Sequence, residues 1–403
     1  MIMKIAMINM THTGSTGRIM LQIAQKARER GHQVMTWSPV PYRRGQRIEL
    51  PEIEGHTYWG SRKEARSHYL LGSTFGSNGC YSRAGTKGLI RALEDFGPEV
   101  IHLHNLHNFC FNFPLFFSFV KEKKIRLIWT LHDCWSFTGH CPHFIMAGCE
   151  KWKTECHHCP QLGAYPKSRM DTTRRMHRAK KKWFSGIEKL TLVTPSRWLA
   201  EMAGQSFLGD YPCRVIPNGI DLDVFRPTGS DFRQRYDCQD QFLLLGVASG
   251  WSDRKGLDVF VTLAQRLGEE YRIVLVGTDD RIDAVLPKSV ISVHRTQNTA
   301  ELAQIYSAAD LFVNPTREDT YPTVNMEAIA CGTPVLTFKT GGSPEMVGPG
   351  CGGVVDCADV DSLEQQIRTI YRERSYSREI CREYAEQFDK NRRFMEYIAL
   401  YEG

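Results

Sequence analysis

The sequence lacks an apolar run long enough to cross a bilayer. The most apolar segment, residues 109–120, is shorter than the roughly 18 apolar residues that a spanning helix needs. The apolar start ends at Asn9, without the long apolar region and small-residue cleavage site of a secretory signal. We therefore expect a cytoplasmic protein, or one that is peripheral on the inner face of the plasma membrane.

The cysteine content and the net charge of the chain are also modest. The chain has 13 cysteines in 403 residues, too few for a disulfide scaffold, so a reducing compartment would hold them as thiols. The formal net charge is +6, far from that of a polycation. This mild positive charge favours an anionic small molecule or an acidic surface as the binding partner, rather than bulk nucleic acid.

The composition is that of a globular protein, and the length indicates two domains. Apolar strand-like runs alternate with helical stripes in both halves, which predicts βαβ units and parallel sheets in an α/β protein. We expect a first domain at residues 1–212 and a second at 213–384. A C-terminal helix at about 385–403 is expected to pack back on the first domain.

The first strand is followed by a glycine-rich loop, residues 12–18, that contains Gly14 and Gly17. A loop that opens a helix presents backbone N–H groups to anions. Only two glycines match the dinucleotide-binding pattern G-x-G-x-x-G, so a plain tight turn is the alternative.

His132 and Asp133 end another predicted strand of the first domain. A histidine there can hydrogen-bond a sugar or phosphate, and an adjacent carboxylate can orient it or accept a proton. The alternative is a buried histidine with a purely structural role, which is also our interpretation of His102 and His104.

Two segments of the second half carry charged residues next to predicted helix starts. Arg254 and Lys255 follow a strand and suit a pyrophosphate, although a solvated charge run is the alternative. Asp319 and Glu327 lie on either side of a loop-to-helix junction. Carboxylates accept hydrogen bonds from vicinal sugar hydroxyls, and the N–H groups between them can hold a phosphate. A charged loop that only caps its helix is the alternative.

Together these segments resemble the retaining nucleotide-sugar glycosyltransferases of group one, over nearly the whole chain. The resemblance rests on the first loop, Arg30-Gly31-His32-x-Val34, the VIPNGID run at 215–221, Lys255-Gly256, and residues 319–327 followed by Gly332-Thr333-Pro334-Val335. It implies the GT-B fold: two doubly wound, Rossmann-like parallel-sheet domains facing a central cleft. The first domain would bind the acceptor and the second the nucleotide sugar.

The family's E-x7-E motif matches Asp319 and Glu327, so its first glutamate is an aspartate here, preceded by Glu318. The resemblance assigns the donor hexose to the first acid and the nucleotide ribose to Glu327. Lys255 matches the basic residue on the donor pyrophosphate.

The family's arginine, five residues before that lysine, is replaced by Gly250, and we expect Arg254 to substitute for it. His132 matches a histidine that the family places beside the transferred sugar. The expected catalytic residues are therefore His132, Asp319 and Lys255, with Asp133 and Trp135 on the acceptor side. The expected donor-binding residues are Gly14, Gly17, Arg254, Lys255, Glu318, Asp319, Thr320, Tyr321, Pro322, Thr323 and Glu327.

A narrower resemblance is carried by residues 132–141, Cys149-x-x-Trp152, Cys156-x-x-Cys159-Pro160 and Tyr165-Pro166. These are similar to a subgroup that assembles bacterial exopolysaccharide, capsule or colanic-acid-type repeats on lipid-linked saccharides at the inner membrane face. We therefore expect a retaining hexosyltransferase that uses a nucleotide diphosphate sugar, needs no catalytic metal and binds no nucleic acid. The alternatives are a nucleotide-sugar epimerase or phosphorylase of the same fold, or a zinc-containing nucleic-acid-binding module.

Four cysteines, Cys141, Cys149, Cys156 and Cys159, fall within a short segment. Four thiolates suit a tetrahedral structural zinc site, and His143, His157 and His158 are alternative ligands. Packed thiols and a redox disulfide are the other interpretations.

A basic run at residues 167–182 follows the cysteines. It is interpreted either as a solvated helix face or as a surface that docks on anionic lipid or on an acceptor pyrophosphate.

Overall fold

The computed structural model describes residues 2–42, 50–107 and 109–403. The chain forms two compact units, Met1–Ile216 with Phe394–Gly403, and Pro217–Arg393. The division falls after Ile216, compared with 212 in the sequence-based expectation, because Cys213–Val215 is an edge strand of the first sheet. The C-terminal segment of the first unit begins at Phe394 rather than about 385, because Ala385 and Phe388 pack in a core of the second unit.

The first unit contains a parallel sheet, with seven strands in the described part of the chain, in the order β3-β2-β1-β4-β5-β6-β7. The central strands are apolar and buried on both faces, as expected where helices cover a parallel sheet on each side. The strands are β1 Lys4–Ile8, β2 Gln33–Pro39, β3 His56–Trp59, β4 Val100–Leu103, β5 Arg126–Thr130, β6 Leu190–Thr194 and β7 Cys213–Val215.

The helices of the first unit bury one apolar stripe each. In the first helix the stripe includes Ile19, Met20, Ile23 and Ala27, at the spacing of one helical face. The helices are α1 Gly14–Glu29, α2 Arg62–Phe75, α3 Arg83–Phe96, α4 Phe113–Lys123, α5 Thr173–Phe184 and α6 Arg197–Gly204.

The second unit has a parallel sheet in the order β10-β9-β8-β11-β12-β13. Its strands are β8 Phe242–Val247, β9 Tyr271–Val276, β10 Ile291–Val293, β11 Leu311–Asn314, β12 Val335–Lys339 and β13 Gly352–Asp356. Its helices are α7 Phe232–Arg235, α8 Leu257–Arg266, α9 Asp280–Asp283, α10 Thr299–Ala308, α11 Thr323–Ala330, α12 Val360–Glu373 and α13 Arg378–Tyr384. Helix α14, Lys390–Glu402, begins in this unit and continues into the C-terminal segment of the first.

The strand order of each sheet reverses at one point, between β1 and β4 in the first unit and between β8 and β11 in the second. Open α/β sheets bind their ligands outside the carboxyl ends of the strands at such a switch point. The prediction of two Rossmann-like parallel-sheet domains is confirmed. Among the described residues, no helix has the length and apolar character to cross a membrane.

The basic run is only partly a solvated face. Helix α5 buries a stripe that consists of Thr173, Met176, His177, Lys180 and Phe184. Lys180 is 1% exposed, so the sequence-based interpretation of the whole run as a solvated or lipid-facing surface is wrong for this lysine.

Buried histidines are concentrated in the first unit, which holds all of the chain's histidines except His294. Burial lowers the pKa of His68 and His102 to about 3, and that of His56, His132 and His140 to about 4. The unfolded chain therefore binds more protons than the folded unit once the pH falls below about 6.5.

We predict that acid destabilises the first unit selectively. The stabilisation from neutral buried histidines is complete above about pH 6.5 and is lost as the pH falls towards 4. Amide exchange, corrected for intrinsic rates, should accelerate in β4 and β5 between pH 7 and pH 4.5, with β8 and β11 as the internal control. Equal loss of protection in both units would contradict the prediction.

Candidate functional site

In the second unit, the loops that follow β8 and β11 are joined by backbone hydrogen bonds at the switch point. The Arg317 amide donates to the Arg254 carbonyl at 2.9 Å. The Arg254 guanidinium in turn donates through Nη1 to the Glu318 carbonyl at 3.1 Å. Arg254 and Glu318, which the sequence assigned to one site, therefore lie in directly bonded loops.

Lys255 and Asp319 form an ion pair across these two loops. Lys255 Nζ lies 2.6 Å from Asp319 Oδ2, and the two side chains are only 18% and 20% exposed. Gly256, with φ +75°, permits this approach, because a Cβ there would lie 2.5 Å from the Pro315 carbonyl oxygen. In the Lys255-Gly256 dipeptide, the lysine supplies the charged side chain and the glycine forms the turn that positions it.

The segment after Asp319 leads into helix α11. Asp319 Oδ1 accepts from the Tyr321 amide at 3.3 Å, and Pro322 is the N-cap residue that precedes Thr323. Within the described residues, α11 has no side-chain cap and no acidic residue in its first turn. Thr320 and Tyr321 are buried. This helix start can accept an anion.

Glu327 lies about one turn into α11, where its Oε2 accepts a 3.0 Å hydrogen bond from the Tyr306 hydroxyl. Burial, and then the negative charge of Glu327, raise the pKa of Tyr306 well above its usual value. Tyr306 therefore stays a donor and orients the carboxylate. The sequence analysis missed Tyr306, because a tyrosine within the apolar stripe of α10 looks like any other core residue and does not indicate a contact with Glu327.

Gly250 leaves open space where the resemblance implies an arginine. A Cβ at this position would meet no heavy atom within 4 Å. The Arg254 side chain donates to the Glu318 carbonyl. Its guanidinium therefore lies beside the loop that contains Asp319.

In the first unit, the glycine-rich loop opens α1 without a side-chain cap in the described residues. Gly14 adopts φ +72°, and a Cβ on Gly17 would lie 2.4 Å from the His12 carbonyl carbon. The Met10 amide donates to the Asn105 carbonyl at 2.7 Å, which joins the loops after β1 and β4. Gly14 and Gly17 belong to the first unit, whereas the other expected donor residues belong to the second.

His132 belongs to a row of histidine rings at the ends of β4 and β5, in which His102 and His104 are buried and His132 is half-buried. His132 Nε2 lies 3.0 Å from His104 Nδ1, and the rings of His104 and His102 have centroids 4.3 Å apart. His102 lies 2.7 Å from the hydroxyls of both Thr130 and Tyr401. Burial lowers the pKa of His132 to about 4, so the ring is neutral near pH 7. The interpretation of His104 as purely structural missed its contact with His132.

Asp133 acts as an internal acceptor. Its Oδ2 accepts from His107 Nε2 at 2.8 Å and from Asn105 Nδ2 at 3.0 Å, and its Oδ1 accepts from the Trp135 amide at 2.9 Å. Burial alone would raise the pKa of Asp133, but His107 and the Trp135 amide lower it to about 2. His107 Nδ1 contacts the Tyr165 hydroxyl at 3.1 Å. The sequence analysis missed His107 and Asn105, and it named Tyr165 only as part of the narrower resemblance, without a role.

The four cysteines of the predicted zinc site line one small cavity of about 20 Å³, together with Trp152. Burial raises the pKa of Cys156 to about 11 and raises that of Cys141 and Cys159 as well. Among the described residues, three potential metal-ligand atoms lie within 4.8 Å of one another at the exposed group Asp280, Asp283 and His294. The four thiols do not form such a group.

The structure therefore places the expected residues in two sets, one in each unit. The second unit brings together Arg254, Lys255, Glu318, Asp319, Thr320, Tyr321, Pro322, Thr323 and Glu327. The first unit holds Gly14, Gly17, His132, Asp133, Trp135 and the cysteines.

Comparison with known proteins agrees with this division. Residues 16–224 match the family described as Glycosyltransferase Family 4, and residues 232–388 match the one described as Glycosyl transferases group 1. The putative colanic acid biosynthesis glycosyl transferase WcaC of Escherichia coli (strain K12) is 28% identical over 277 residues, 67% of this chain and 67% of that protein. A D-inositol 3-phosphate glycosyltransferase of Xylanimonas cellulosilytica is 32% identical over 159 residues, 35% of this chain and 38% of that protein.

Solved structures show the same fold along nearly the whole chain. A sucrose-phosphate synthase from Thermosynechococcus elongatus has a TM-score of 0.73 at 17% identity, covering 99% of this chain and 98% of that one. HepE of Anabaena, in complex with UDP, has a TM-score of 0.66 at 16% identity. The match covers 99% of this chain and 100% of the HepE chain.

We predict that Lys255 and Asp319 are energetically coupled. A double-mutant cycle of Lys255→Met and Asp319→Asn, measured by chemical denaturation, should give a coupling energy of about 1–3 kcal/mol, because the pair is largely buried. The exposed pair Arg235 and Asp231 is the control, for which we expect about 0.5 kcal/mol or less. A coupling no larger than that of the control would contradict the prediction.

Proposed function

The chain belongs to the group 1 glycosyltransferases of the GT-B fold, and we propose that it transfers a hexose from a nucleotide diphosphate sugar to a saccharide acceptor with retention of anomeric configuration. The product would be part of a bacterial exopolysaccharide, capsule or O-antigen. The likeness to WcaC supports this setting. The observation that carries the proposal is the Lys255–Asp319 pair, held at the switch point of the second sheet.

The donor occupies the second unit in this proposal. Lys255 and Arg254, with the open start of α11, hold the two phosphates by charge and backbone N–H groups. The neighbouring HepE structure with UDP supports a uridine diphosphate as one candidate leaving group. Asp319, already ordered by Lys255, faces the hexose, and its shorter side chain keeps the carboxylate close to the loop.

Glu327 accepts hydrogen bonds from the ribose hydroxyls of the nucleotide. The Tyr306 hydroxyl holds one of its oxygens, so the carboxylate is oriented before the donor arrives. Pre-ordering lowers the entropic cost of binding.

In the transfer step, the bond between the sugar C1 and the diphosphate oxygen breaks. The acceptor oxygen forms its bond to C1 on the same face. Negative charge grows on the leaving diphosphate, where Lys255 and Arg254 stabilise it. The acceptor proton passes to a departing phosphate oxygen, so no dedicated base of the enzyme and no catalytic metal is required.

The acceptor is assigned to the first unit. Neutral His132 can donate or accept a hydrogen bond beside the transferred sugar, and His104 holds its ring. Asp133 orients His107 rather than acting as a base, because His107, Asn105 and the Trp135 amide occupy its oxygens.

A lipid-linked acceptor would bring the enzyme to an anionic membrane surface. The exposed residues Arg175, Lys181 and Lys182 of α5 can contribute about 1 kcal/mol each near such a surface. Arg174 and Arg178 both pair with Glu155, which reduces the charge of this face.

The proposal as a whole is tested by screening nucleotide sugars by thermal shift and then assaying transfer. A ligand at 100-fold its Kd stabilises a protein by about 2.7 kcal/mol. Stabilisation by one nucleotide sugar, with glycosylated product, supports the proposal. An isomerised nucleotide sugar, or turnover that requires inorganic phosphate, would instead indicate an epimerase or a phosphorylase.

We predict that Glu327→Gln weakens nucleotide-sugar binding about 10- to 100-fold, because a charged acceptor of ribose hydroxyl bonds is lost. Calorimetry measures the change, and Glu373→Gln, an exposed acid of the same unit, is the control. Equal donor affinity in both variants would remove Glu327 from the binding site.

We predict that His132→Ala lowers the rate of transfer about 100-fold while donor affinity changes by about twofold or less. His132 lies in the unit that the proposal assigns to the acceptor. Transfer rates and nucleotide affinity are measured separately, with the exposed His294→Ala as control. A variant that loses nucleotide affinity but keeps the rate of transfer would refute this division of labour.

A further inference from the structure

The four cysteines are arranged around one cavity rather than distributed through a core. Cys141, Cys149, Cys156 and Cys159 all line it, and Cys141 lies within electrostatic range of the other three. The cavity volume of about 20 Å³ corresponds to about one small occupant.

One of the sulfur atoms accepts a backbone hydrogen bond. The Gly139 amide donates to Cys156 Sγ at 3.2 Å. Gly139 is required for this approach, because a Cβ there would lie 2.8 Å from the Cys156 Cβ. Hydrogen bonds from nearby groups to the ligand atoms are typical of metal sites.

A buried cation stands beside the cluster. The Lys180 ammonium donates to the carbonyls of Trp135 and Thr138 at 2.6 and 2.9 Å, and lies 3.2 Å from the centroid of the Trp135 ring. Among the described residues, no carboxylate lies at ion-pair distance from it. Lys180 is within electrostatic range of Cys156 and Cys141. A buried ammonium is costly unless an anion compensates it.

We propose that Cys141, Cys149, Cys156 and Cys159 bind one Zn²⁺ as four thiolates, with Lys180 as the buried counter-cation of the resulting centre. Four thiol protons leave to solvent as four Zn–S bonds form, and the centre carries a net charge of −2. With Zn–S bonds of about 2.3 Å, tetrahedral sulfur atoms lie about 3.8 Å apart. Metal binding therefore draws at least some of these sulfur atoms closer together.

This centre is structural. It joins three parts of segment 138–160, and Lys180 connects it to Trp135, whose amide is bonded to Asp133. Zinc would thereby stabilise the segment that follows the His132 strand end without contacting a substrate. The proposal does not depend on the glycosyltransferase reaction, because metal content is measured without any sugar.

The first experiment uses the full-length wild-type protein. Elemental analysis after purification from zinc-supplemented culture should give about one zinc per chain, as a four-ligand site requires. Cobalt(II) added to metal-depleted protein should produce a sulfur-to-cobalt charge-transfer band that zinc abolishes. These readouts remain informative even if a variant fails to fold.

Variants then identify the ligands and the counter-cation. Cys149→Ser and Cys156→Ser should lower the zinc content, whereas Cys357→Ser, an exposed cysteine of the second unit, should retain it. Lys180→Met should weaken zinc affinity roughly 10- to 100-fold, as expected for loss of a group outside the ligand shell. Circular dichroism checks that each variant is folded.

Three results would overturn the proposal. One is wild-type protein that contains no metal, gives no cobalt band and carries all four cysteines of the cluster as free thiols. The second is a mass that indicates a disulfide within the cluster. The third is zinc that remains at the wild-type level in both cysteine variants. Unchanged zinc affinity in folded Lys180→Met would overturn the role of the counter-cation.

Discussion

Parallel strand pairing determines where the chemistry of this chain can lie. Because every strand of a sheet runs the same way, the loops at the strand carboxyl ends meet at one edge. At each switch point a backbone hydrogen bond joins the two flanking loops, Met10 to Asn105 in the first unit and Arg317 to Arg254 in the second. The charged and polar residues of both candidate sites are placed by this arrangement.

The charged side chains of both candidate sites form ion pairs or hydrogen bonds within the protein before any ligand binds. Lys255 pairs with Asp319, Tyr306 donates to Glu327, and Asp133 accepts three hydrogen bonds. Such pre-ordering lets a site stabilise charge that develops during a reaction without reorganising at that moment. The same hydrogen bonds occupy both oxygens of Asp133, which we therefore propose to be a positioning residue rather than a base.

The sequence predicted the fold and the residues that lie next to strand ends or helix starts, such as Lys255, Asp319 and His132. It could not predict partners that are distant in sequence. Tyr306 lies in an apolar helical stripe, and His107 meets Asp133 only because β4 and β5 are neighbours. The sequence places Lys180 in a basic run that is either a solvated helix face or a docking surface, since only the packing of α5 shows that this one lysine is turned inward. The roles of the site residues and the metal remain predictions.

We propose that this chain forms a glycosidic bond with retention of anomeric configuration. The most direct test follows the reaction of the purified enzyme, its nucleotide sugar and a saccharide acceptor by ¹H NMR, reading the anomeric signal of the new bond. We predict a product with the same anomeric configuration as the donor sugar. A product of opposite configuration, or a nucleotide sugar consumed without any new glycosidic bond, would contradict the account.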